Sequence, residues 1–65
     1  MEQNREQAIL QEIIRALESA GYDPQIQLRG YLETGMDYFI TRKENAREKI
    51  KSLDPETIRA FLNGK

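Results

Sequence analysis

Between residues 8 and 20 the apolar side chains return every three or four positions, and nowhere in the chain do they alternate with polar ones over a useful length. Ala8, Ile9, Ile13, Ala16, Leu17 and Ala20 make one stripe, widened by Leu10 and Ile14. Glu6, Gln7, Gln11, Glu12, Arg15 and Glu18 take much of the remaining surface. A period near 3.6 belongs to a helix with one buried face, and a period of two to a half-buried strand. The chain is therefore expected to be all-α.

Punctuation then divides it. Asn4 with Gln7 has the spacing of a capping box, and Gly21 stands where a helix ending near Ala20 wants a left-handed residue. Asp23-Pro24 and Asp54-Pro55 each place an N-cap acceptor before a proline whose missing N–H is harmless at the first helical position. The first opens a helix carrying Ile26, Leu28, Tyr31 and Leu32 and stopping at Gly35. Residues 36–40, MDYFI, read as a short helical turn or apolar connector that buries Tyr38, Phe39 and Ile40. Thr41 with Glu44 repeats the capping-box spacing and predicts a third helix through about Lys51. In the last helix Leu53 and Ile58 have the spacing of a hydrophobic staple, Phe61 and Leu62 extend the apolar side, and Asn63-Gly64 ends it. The expected architecture is a compact bundle of four to five short helices in one domain over residues 1–65, frayed over 1–5.

Gly30 falls inside the second of these helices, where glycine costs roughly 1 kcal/mol relative to alanine. Its missing side chain lets another backbone approach closely. That element is either the first helix or a second copy of the chain, and periodicity does not choose between them. Gly30 and Tyr31 are thus the candidate close-packing or dimer positions. Sixty-five residues without cysteine have a small core and no disulfide or thiolate zinc site to reinforce it, so self-association follows as a possibility from size alone.

The net charge is −1, which gives no overall field favouring nucleic acid or an anionic membrane. The charge is segregated, however. Residues 1–37 carry three arginines against seven acids, a net −4, whereas residues 41–52 carry Arg42, Lys43, Arg47, Lys49 and Lys51 against Glu44 and Glu48, a net +3. In a helix starting after Thr41, Arg47 and Lys51 share one side, with Lys43 below them at the four-residue spacing. Arg42, Lys43, Arg47 and Lys51 are the candidate partner-binding residues, and charge complementarity with an acidic protein surface is the expected mode. The alternative is a small nucleic-acid-binding domain using the basic helix 42–51. The interspersed Glu44 and Glu48 count against the nucleic-acid reading, because mixed charge is what any solvated helix surface ordinarily shows. The acidic protein partner is preferred because charge complementarity steers association without a large net charge.

Other chemistry finds little support. There is no histidine or cysteine, Glu6, Glu12 and Glu18 read as solvated side chains, and the acids never cluster as a calcium loop. No catalytic residue, metal site or cofactor is expected. Tyr22, Tyr31 and Tyr38 read as half-buried with the hydroxyl at the surface, an aromatic interaction surface being the sharper alternative. No apolar run approaches membrane-spanning length, and MEQNREQ lacks the basic-then-apolar order of a signal peptide, so the expected location is cytoplasmic.

One string of residues is distinctive in combination: Gly21-Tyr22-Asp23-Pro24, Gln27-Leu28, Gly30-Tyr31-Leu32, Thr34-Gly35, Tyr38 with Ile40-Thr41, and Ala46-Arg47 followed by Ile50. It resembles the IreB family of small regulatory phosphoproteins from Gram-positive bacteria. The resemblance implies an all-helical homodimer without enzymatic activity. It also implies a substrate of membrane Ser/Thr kinases that tunes peptidoglycan precursor synthesis through protein contacts. Arg47 matches the family pattern directly, whereas Lys43 stands where histidine is common and Lys51 where arginine is common. Family members carry a phosphorylatable threonine in an N-terminal tail. Here the first hydroxyl-bearing residue is Ser19, so no residue matches that site and the expectation is a divergent paralogue lacking the switch.

Overall fold

Leu10, Ile13 and Leu17, successive positions on one helix face, have no solvent exposure at all. They are the centre around which the other elements close. The computed structural model describes the backbone of residues 2–64 and the side chains of residues 5–64. Its elements are α1 (Glu2–Ser19), α2 (Pro24–Thr34), a 3-10 turn at Asp37–Phe39, a second at Lys43–Asn45, α3 (Ala46–Lys51) and α4 (Pro55–Asn63). Among the described residues there is no strand, and no helix is long and apolar enough to cross a membrane.

The helix ends follow from local chemistry. At the end of α1, Gly21 takes φ 90°, the Tyr22 N–H reaches the Leu17 carbonyl at 2.9 Å and the Gly21 N–H reaches Glu18 at 3.0 Å. These are the paired bonds of a Schellman motif, which need a residue free to enter the left-handed region. The Asp23 carboxylate accepts from the Gln25 N–H at 3.0 Å and the Asp54 carboxylate from the Glu56 N–H at 2.9 Å, so both Asp-Pro pairs open helices as expected.

In the bundle α1 packs against α3, and α2 against α4. Leu28 of α2, Ala46 and Ile50 of α3, Ile58 of α4, and Ile40 and Leu53 from the connecting segments join the α1 face in one core cluster, which contains the staple pair Leu53 and Ile58. Each fully buried Leu or Ile contributes about 1.5–3 kcal/mol relative to exposure. No polar or charged residue is buried among the described residues.

Four expectations are corrected. Helix α1 runs back to Glu2, so Asn4 is inside it rather than capping it, and the Asn4 side chain lies outside the described residues, as does Met1 of the expected frayed segment. Tyr38 is 64% exposed and Phe39 half-buried, leaving Ile40 as the anchor of MDYFI. A three-residue 3-10 turn is too short to bury every side, and its one fully enclosed apolar residue follows it. Tyr22 and Ile26 are likewise exposed.

The fourth correction matters most for the basic segment. No helix starts at Thr41. Glu44 and Asn45 adopt φ 53° and 60°, and α3 begins only at Ala46. The Thr41 hydroxyl oxygen accepts from the Lys43 N–H at 3.2 Å, a turn bond two residues on, in place of the box with Glu44. Core packing explains the break. Ile40 and Ala46, on either side of it, are both fully enclosed, and the chain reverses between them tightly enough to require left-handed backbone.

Candidate functional site

The basic segment is held from three directions. Behind it, the Gln27 side-chain amide donates to the Phe39 carbonyl at 2.8 Å, tying the connector to α2. Within it, the Arg47 Nε–H donates to the Ile40 carbonyl at 2.8 Å and bridges the left-handed break. Beside it, Lys49 of α3 pairs with Glu12 of α1 at 3.0 Å. The buried faces of Ala46 and Ile50 turn the Arg47 and Lys51 side of α3 outward.

Arg42, Arg47 and Lys51 converge on one open cavity of about 340 Å³, which Asp37, Asn45 and Glu48 also line. Lys51 faces Asp37 at 3.8 Å, both side chains about half exposed. Arg42 has no ion pair among the described residues, and the Arg47 terminal nitrogens have no hydrogen-bond partner among them. Of the four basic residues singled out in the sequence, three are thus brought together. Lys43 is not: it lies before the break, off α3, and does not line the cavity. The stacking of Lys43 below Arg47 and Lys51 required a continuous helix. Because α3 has only six residues, it is also much shorter than the element the groove-reading alternative invoked.

Sequence reasoning missed Asp37, Asn45 and Glu48. Asn45 carried a readable signal, since asparagine tolerates the left-handed region that breaks the helix. Asp37 carried none, being fourteen positions from its partner Lys51.

Gly30 and Tyr31 occupy different environments. A Cβ at Gly30 would meet Phe39 ring carbons at 2.5–2.9 Å, so an aromatic ring of the same chain fills the notch, where the spacing points to a backbone. Tyr31 is half-buried against the core. Tyr38 stacks on Phe39 with ring centroids 4.9 Å apart, and Ile26 lies one helical turn before Gly30 on α2. Ile26 and Tyr38 are each 64% exposed, and Met36 and Tyr22 are also exposed. Set beside this geometry, the chain matches the family model described as IreB regulatory phosphoprotein over residues 1–62.

Proposed function

This chain belongs to the IreB family of regulatory phosphoproteins, and from that premise we propose that it is a non-catalytic regulatory module acting through protein contacts, its basic face meeting an acidic surface on a protein partner. The observation that carries this reading is the convergence of Arg42, Arg47 and Lys51 on one open cavity. Lys43 adds charge from the neighbouring turn. Opposed potentials steer such a pair together and fix its orientation without a large net charge. The setting that the resemblance implies is cytoplasmic control of cell-wall precursor synthesis downstream of a Ser/Thr kinase.

The same reading includes a homodimer. A small core without covalent reinforcement and the exposed apolar side chains of Ile26, Tyr38 and Met36 both support a second copy covering them.

The test is an affinity pull-down from native cytoplasm with the wild-type chain and an Arg47→Glu/Lys51→Glu variant. Reversal of both charges is expected to abolish partner capture with helicity by circular dichroism unchanged. Capture that survives the double reversal counts against the basic face. Saturable binding to duplex DNA at low salt, weakening steeply as salt rises, would replace the protein partner with nucleic acid.

A further inference from the structure

The cavity beside α3 is built more specifically than a general basic surface requires. Arg47 spends its Nε–H on the Ile40 carbonyl, which pins the guanidinium plane and leaves its two terminal nitrogens without partners among the described residues. Those nitrogens form a parallel pair of donors, the arrangement that matches the two oxygens of a carboxylate. Arg42 and Lys51 line the same space. At about 340 Å³ it lies at the lower end of the sizes that hold ligands, roughly 300–1,000 Å³, which suits one side chain rather than a peptide strand.

Charge selects among oxyanions. Three cations and two carboxylates, Asp37 and Glu48, line the cavity, giving 3 − 2 = +1. One carboxylate neutralises that charge. A dianionic phosphate would overshoot it while facing two acids. One of those acids is already engaged: Asp37 sits 3.8 Å from Lys51, close enough to attract it and at the outer edge of an ion pair.

We infer that the Arg42–Arg47–Lys51 cavity is a socket for a single carboxylate side chain of an acidic protein segment, with Asp37 as an internal competitor that occupies Lys51 until the segment arrives. This rests on the reading that the basic face meets an acidic protein and specifies how it does so. Arg47 supplies the fork, Arg42 and Lys51 close on either side, and Asp37 weakens the site in its empty state.

A capped diglutamate peptide serves as the probe, titrated into the intact chain while the Arg47 Nε–H cross-peak and backbone amides are followed by NMR. Saturating shifts are expected at Arg42, Arg47 and Lys51. Arg47→Lys keeps the charge but loses the fork, and is expected to weaken binding about tenfold. Because that change also removes the tie to Ile40, Arg42→Lys, which leaves the tie intact, is measured beside it with a loss of about threefold expected. Asp37→Asn is expected to tighten binding about threefold, in keeping with a half-exposed pair. Glu44→Gln, which removes an acid that does not line the cavity, is expected to leave affinity unchanged.

Equal affinity of the Arg47→Lys, Arg42→Lys and wild-type chains overturns the socket. So does equal tightening by Asp37→Asn and Glu44→Gln, which would make bulk charge the cause. Tighter binding of inorganic phosphate than of the peptide overturns the carboxylate assignment. Absence of any shift at the cavity, with partner capture still lost on charge reversal, refutes the socket and leaves the partner reading standing. Capture unaffected by charge reversal refutes that reading itself.

Discussion

Arg47 reaches back across a left-handed turn to donate its Nε–H to the Ile40 carbonyl at 2.8 Å, so one side chain both closes the chain reversal and fixes the charge that the cavity presents. Ile40 is fully enclosed, and its carbonyl has few other routes to a donor. Removing the guanidinium leaves that acceptor unsatisfied, at a cost of about 1–2 kcal/mol for a partly buried bond with a charged donor. Arg47→Ala is therefore expected to lower stability by about that amount in urea denaturation, with the m-value unchanged. Lys51→Ala, which loses only a half-exposed pair, is expected to change stability by less than about 0.5 kcal/mol. Equal effects of the two substitutions would refute the tie.

Gly30 separates two opposing terms. Alanine in a helix interior is favoured over glycine by roughly 1 kcal/mol. At this position, however, its Cβ would stand 2.5 Å from Phe39 Cε1, and the ring can yield only by leaving its place against α2 and Tyr38. Gly30→Ala is expected to destabilise the chain by about 1 kcal/mol, with Gly30→Leu costing more. In a Phe39→Ala background the same Gly30→Ala change is expected to stabilise by about the propensity difference. A double-mutant cycle by thermal denaturation checks the pair, and additive effects would mean that ring and glycine do not meet.

What the sequence made readable was the part decided by neighbours in the chain. The glycine ending α1, the Asp-Pro starts of α2 and α4 and the Leu53/Ile58 spacing are each local rules, and each appears in the structure. The basic residues were readable as a cluster for the same reason. What was not readable depended on distant packing. The capping-box spacing of Thr41 and Glu44 was a true local preference, overridden because Ile40 and Ala46 both enter the core. The convergence of Asp37 on Lys51, and of Phe39 on Gly30, joins positions whose separation carries no periodic signal.

The left-handed pair makes its own prediction. A non-glycine residue in that region costs about 1–2 kcal/mol, less for asparagine, whose short polar side chain tolerates it. Glu44, at φ 53° and exposed, bears the larger strain. Glu44→Gly is expected to raise stability by about 0.5 kcal/mol, the relieved strain exceeding the added freedom of the unfolded chain. Asn45→Ala is expected to lower it by about 1 kcal/mol, and Asn45→Gly to leave it nearly unchanged. Differential scanning calorimetry resolves these changes, since 1 kcal/mol shifts Tm by roughly 4–8 °C in a domain of this size. A stable Asn45→Ala variant with unchanged Tm would argue for a continuous helix through the segment.

The exposed apolar side chains make the proposed dimer testable. Ile26 and Tyr38 leave nearly two-thirds of their surfaces in solvent, and neither contributes to the core cluster. Covering one such side chain in a dimer gives a transfer free energy of about 1.5 kcal/mol or more, which is about tenfold in the dissociation constant. Introducing a charge there both forfeits that gain and sets two like charges against each other across a two-fold axis. Ile26→Lys with Tyr38→Lys is therefore expected to convert a dimer into a monomer in sedimentation equilibrium, with the helical circular dichroism signal retained because both positions face solvent within one chain. Arg59→Glu, on the exposed surface of α4, is expected to leave the association state unchanged and controls for charge alone. A wild-type chain that sediments as a monomer over the whole concentration range would remove the dimer and leave these side chains as contacts for a different protein.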